Sequence, residues 1–153
     1  MSVSAVLQDD LAVAVRLRNR EVIDHQDFLR AIHRASKHAT QVEIAKRLGI
    51  SQPAVSKVLK SAAKVADPVA GFSGATPFEI AQRFAAGELT RAEVLDELGR
   101  WDYAPLDETD GYDSLLVNGP GTTNDIARAR RANLIDWELY EEILGRVEAR
   151  LAD

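Results

Sequence analysis

Apolar residues recur at helical spacing along most of the chain. Near the start Leu7, Leu11 and Val15 follow one another at intervals of four, and Phe28, Ile32 and Ala35 obey the same rule further on. Residues 4–38 are therefore expected to form one long helix or two shorter ones. No stretch keeps a two-residue alternation between hairpin turns, which argues against strands. Helix starts are marked three times by a Thr followed three residues later by a Glu: Thr40 with Glu43, Thr76 with Glu79, and Thr90 with Glu93. Each pair suits a capping box, in which hydroxyl and carboxylate each accept a backbone N–H that the first helical turn leaves unpaired. The expected fold class is all-α.

Two stretches interrupt the pattern. Ala66–Ala75 holds Asp67-Pro68, Gly71 and Gly74, which reads as a connector. Tyr103–Thr123, with its prolines, glycines and acidic residues, reads as a longer loop. The expected organisation is a domain over residues 1–70 and a second helical module over 71–153 with an internal loop near 103–123. Within that module two segments resemble each other once one residue is gapped. Glu79-Ile80-Ala81 parallels Asp125-Ile126-Ala127, a break at Gly87 parallels one at Asn133, and Val94 and Leu98 parallel Leu139 and Ile143. A repeated helical hairpin would produce this; two amphipathic helices of similar length would also match by chance.

Residues 40–60 read TQVEIAKRLGISQPAVSKVLK, and each position has a mechanical role in a helix-turn-helix. Ala45 is small where a second helix must cross closely, and Gly49 accepts the left-handed backbone of the turn. Ile44, Leu48, Ile50, Val55 and Val58 are the expected apolar wedge, and Ser51 the expected cap of the second helix. Pro53 falls in the first turn, where its missing N–H costs nothing. The polar positions then lie where DNA would be. Ser51, Gln52, Ala54 and Ser56 open the second helix, the part that reaches base edges in a major groove. The Gln52 amide suits adenine, and Ala54 suits a thymine methyl group. Lys57 and Lys60, with Thr40 and Gln41 at the start of the preceding helix, suit phosphates.

This stretch resembles the helix-turn-helix of bacterial and phage regulators of the Cro and phage-repressor class. Thr40-Gln41, Ile44-Ala45, Leu48-Gly49-Ile50-Ser51 and Val55-Ser56 match the family pattern. The resemblance implies a homodimer on a palindromic operator in double-stranded DNA, and usually repression of transcription.

Charge sharpens the division. The 153 residues carry a formal net charge of −5, yet residues 16–64 hold eleven Lys or Arg against four Asp or Glu, a net of +7. Residues 65–153 hold eight against eighteen, a net of −10. A basic half that attracts a polyanion is thus joined to an acidic half that repels it, as expected of a binding module with an assembly or partner module. The alternative function is an antitoxin or adaptor whose acidic half captures a protein. The dimer surface could be the N-terminal helix with Leu7, Leu11 and Val15, which is favoured because it adjoins the motif. It could instead be the acidic half with Leu89, Val94, Leu98, Trp137, Leu139 and Ile143.

The remaining chemistry is narrow. Without cysteine there are no disulfides, thiolate metal sites or cysteine nucleophiles. His25, His33 and His38 are not spaced to share one helix face, so no metal is expected. The cluster Asp107, Glu108, Asp110 and Asp113 lacks the glycine and terminal glutamate of a calcium loop. Gly119-Pro120-Gly121 is a turn rather than a phosphate loop. No catalytic constellation can be assembled and no cofactor is implied. The longest apolar run near the start, Leu11–Val15, is far below the roughly 20 residues that cross a bilayer. With no signal-peptide pattern, the expected location is the cytoplasm.

Overall fold

The computed structural model describes residues 2–106 and 121–153. Among the described residues there are seven helices and no strand, an all-α chain. The helices are α1 (Val3–Ala35), α2 (Gln41–Leu48), α3 (Gln52–Ala62), α4 (Pro77–Ala85), α5 (Arg91–Arg100), α6 (Asn124–Arg131) and α7 (Trp137–Ala152). The first apolar stretch is thus one continuous helix of 33 residues rather than two. None of these helices is long and apolar enough to cross a membrane. The chain forms two compact units, Glu21–Asp67 and a second composed of Met1–Arg20 with Pro68–Asp153.

In the unit Glu21–Asp67, Ile32, Ile44, Ala45 and Val55 close a small core, against which Ala39, Val58 and Leu59 pack. Arg30 is buried beside it. Its Nε donates to the Ala66 carbonyl at 2.9 Å and its Nη1 to the Asp27 carboxylate at 3.2 Å, which ties α1 to the chain leaving α3. A charge-assisted bond of this kind is worth about 1.5–3 kcal/mol, and nothing in the spacing of the sequence announces it.

The unit containing residues 68–153 has a larger core. Ile80, Leu98, Ile126, Leu139 and Ile143 are wholly buried, and each contributes about 1.5–3 kcal/mol relative to exposure. α4 packs on α6 and α5 on α7, so the two hairpins meet as like against like. At Gly99 a Cβ would lie 3.1 Å from Cδ of Arg146, so glycine is what lets α5 approach α7 there. Trp101 is buried edge-on to Phe72 at 4.7 Å, and the Tyr103 hydroxyl donates to the Leu98 carbonyl at 2.6 Å.

The hairpin resemblance extends to backbone detail. Both breaks carry positive φ, 86° at Gly87 and 59° at Asn133. Two buried carboxylates sit at matching points: Glu79 accepts the Ala75 N–H at 3.0 Å, and Asp125 accepts the Gly121 N–H at 3.1 Å. Each also faces an arginine one turn on, Arg83 at 3.6 Å and Arg128 at 3.1 Å. Thr90 and Asp136 then cap α5 and α7. Ala75/Gly121, Glu79/Asp125, Gly87/Asn133 and Thr90/Asp136 all keep one offset, so the backbone needs no gap up to the second helix, while Arg83 and Arg128 differ from it by one residue. The gap appears in burial. Val94 and Leu98 correspond to Leu139 and Ile143, one residue short of the cap register. That shift turns α7 by about 100° relative to α5.

Of the three capping boxes expected, those at Thr40 and Thr90 are complete. Thr76 accepts the Glu79 N–H, but the Glu79 side chain reaches one residue further back, to Ala75. Residues 107–120, with the acidic cluster Asp107, Glu108, Asp110 and Asp113 and most of the expected loop, lie outside the described residues.

Candidate nucleic-acid interface

α2 begins where the Thr40 hydroxyl accepts the Glu43 N–H at 3.2 Å and the Glu43 carboxylate accepts the Thr40 N–H at 3.0 Å. It ends at Gly49, whose φ of 69° and ψ of 30° are left-handed. The N–H groups of Gly49 and Ile50 both return to the Ala45 carbonyl. This closes the helix and redirects the chain within three residues. Ser51 then caps α3, accepting the Ala54 N–H at 3.2 Å, and Pro53 occupies the first turn.

The core holds one face of α3 and leaves the other to solvent. Val55 and Ala62 are buried and Val58 and Leu59 half-buried. Gln52, Ser56 and Lys60 follow at intervals of four along a stripe that begins beside Val55 and Leu59 and drifts away from the core toward Lys60, with Gln52 and Lys60 exposed and Ser56 half-buried. Ser51, Pro53 and Lys57 are exposed, and Ala54 is half-buried on the side of the first turn away from Gln52. The exposed positions of α3 are therefore spread around its first turn, at Ser51, Gln52 and Pro53, and along the side that carries Lys57 and Lys60.

The start of α2 is more constrained. Thr40 is exposed, but its backbone N–H is committed to Glu43, so its hydroxyl proton is the donor it can still offer. The carboxylate of Glu43 stands at that end and opposes an anion. Gln41, half-buried, is the less encumbered donor.

The apolar wedge is smaller than its expected membership. Ile44 and Val55 lie in it and Val58 packs against it, whereas Leu48 and Ile50 are 39% and 38% exposed. Leu48, in the last turn of a helix of only eight residues, instead lines a groove of about 410 Å³ with Ile32, Ala35 and Ala39. Ile50 belongs to the turn itself. Among the described residues no group of His, Asp and Glu is disposed to hold a metal ion.

Residues 25–64 match the family model described as the MarR family. The matched span takes in the end of α1 and all of α2 and α3. It supports a helix-turn-helix DNA-binding transcription regulator, and not the Cro and phage-repressor class in particular. What the chain shares with that class is the motif. None of the curated proteins and none of the solved structures matches the chain.

Proposed function

We propose that the chain is a homodimeric, sequence-specific repressor that sets the start of α3 into the major groove. The observation that carries this is the outward surface of α3. Ser51, Gln52, Lys57 and Lys60 are exposed on α3, within the span that matches a family of regulators. Gln52 pairs with adenine through both amide atoms, Ala54 meets a thymine methyl group, and Ser51 and Ser56 supply further polar contacts. Lys57, Lys60, Gln41 and the Thr40 hydroxyl bind phosphates and fix the register. One such helix spans only a few base pairs, so two copies about 34 Å apart are needed for useful operator specificity. Repression then follows from occlusion of a promoter, and no catalysis is required.

The test begins with selection of bound fragments from genomic DNA, followed by affinity measurements on the recovered site. Lys57→Ala should weaken every sequence alike, whereas Gln52→Ala should lose about 1–3 kcal/mol at particular base pairs only. Affinity should fall steeply with salt as phosphate counterions are released. A salt-insensitive affinity, or a Gln52→Ala variant with unchanged preference, would sink the proposal.

A second reading, an antitoxin or adaptor, has one observation in its favour. Trp137 is 56% exposed, with the Arg130 guanidinium 4.8 Å from its ring centre and 5.4 Å from that of Tyr140. An exposed Trp beside a half-buried Tyr and Arg is a grouping that protein interfaces favour. Trp137→Ala would abolish capture of a protein partner under this reading and leave operator binding unchanged.

A further inference from the structure

We infer that the N-terminal part of α1 pairs antiparallel with the same segment of a second copy, an inference that rests on the homodimer reading above. Two surfaces in the sequence are apolar enough to hold a dimer, and the structure removes most of one. Val94, Leu98, Leu139 and Ile143 are wholly buried in the core of their own unit and have nothing left to offer a partner. In α1 the opposite holds. Val6, Leu7, Leu11, Val13, Val15 and Leu17 are each 42–57% exposed, and every residue from Ser2 to Arg18 is exposed. A solvated helix does not carry so wide an apolar arc unless something covers it.

The charges on the segment say what covers it and in which direction. Asp9 and Asp10 form an acidic block, and Arg16, Arg18 and Arg20 form a basic block two turns on. Among the described residues none of these five makes an ion pair within the chain. The Arg16 stem lies against the turn at Gly87, which leaves Arg18 and Arg20 as the freer cations. A second copy in parallel register would set acid on acid and arginine on arginine. Reversed, with the overlap centred near Ala14, the same helix sets Asp10 beside the other copy's Arg18, which shares the face of Leu7 and Leu11, while Asp9 and Arg20 turn to the far side. It also joins the two apolar arcs. The surface is complementary to itself in one orientation, as a two-fold interface requires.

Because the chain has no cysteine, single cysteines report the geometry directly. In the full-length protein Ala14→Cys should cross-link to itself. Leu7→Cys should cross-link to Glu21→Cys in a mixture of the two variants but not to itself, because two copies of position 7 then stand about 21 Å apart along the axis. Parallel pairing predicts the reverse for position 7, and finding that would overturn the inference. Charge reversal gives an independent arm read by sedimentation. Arg18→Glu should raise the dimer dissociation constant severalfold, and adding Asp10→Lys should restore it. A dimer indifferent to both changes overturns the inference while leaving the homodimer reading standing. A monomeric full-length chain that still reads its operator removes both while leaving DNA binding intact.

Discussion

Replacing Gly49 by alanine separates backbone conformation from packing at the turn between α2 and α3. The residue has φ 69° and ψ 30°, and a Cβ placed on it would meet no atom within 4 Å. No steric clash therefore contributes. What remains is the cost of holding an L-residue in the left-handed region, about 1–2 kcal/mol. Alanine also restricts the unfolded chain, which offsets about 0.4–1 kcal/mol. A net loss of about 1 kcal/mol is expected, or about 4–8 °C in the melting temperature of a domain of this size. Asparagine, which enters the left-handed region more readily, should lose less than alanine. Thermal unfolding followed by circular dichroism, with hydrogen exchange at the amides of residues 40–62, reads the effect in the unit that contains the turn. Operator affinity well below the transition should change little, since the outward surface of α3 is untouched. An alanine variant as stable as the parent, or an asparagine variant as damaged as alanine, would show that the turn does not depend on the left-handed conformation.

Further outcomes follow from the same geometry. Ser51→Ala removes the bond to the Ala54 N–H and should cost about 1 kcal/mol, with the loss seen first as faster amide exchange at the start of α3 and then as weaker operator binding. Ile44→Ala opens a cavity in a core of four buried residues and should cost about 2–5 kcal/mol in chemical denaturation. Asp125→Ala leaves the Gly121 N–H without its carboxylate and should cost about 1–3 kcal/mol, measured in the same way. Burial pushes the Tyr103 phenol well above its ordinary value, so the folded state keeps a proton that the unfolded state gives up. Stability should therefore be full below about pH 10 and fall as pH rises beyond it. Tyr103→Phe should flatten that alkaline decline, while losing about 1 kcal/mol at neutral pH with the bond to Leu98.

Local chemistry was legible in the sequence by itself. Thr40, Thr90 and Ser51 cap helices because a short hydroxyl side chain reaches an unpaired N–H two or three residues on, whatever surrounds it. Gly49 ends α2 because glycine enters the left-handed region without the conformational cost that other residues bear, whatever surrounds it. Once those ends are set, the spacing of Val55, Val58, Leu59 and Ala62 marks the face that α3 buries, so which side of the helix stays exposed was readable in the sequence. Burial was not readable, because it depends on what arrives from elsewhere in the chain. Leu48 and Ile50 satisfy the apolar pattern yet remain partly exposed. Val94 and Leu139 looked as available for a dimer as Leu7 and Leu11. The packing of α5 on α7 consumed the first pair and left the second on the surface. Glu79 and Asp125 count in the sequence as two more acidic charges in an acidic half, whereas in the fold they are buried acceptors for backbone N–H groups. Caps and turns act over a few residues of chain, while burial is decided by elements brought together across dozens of them.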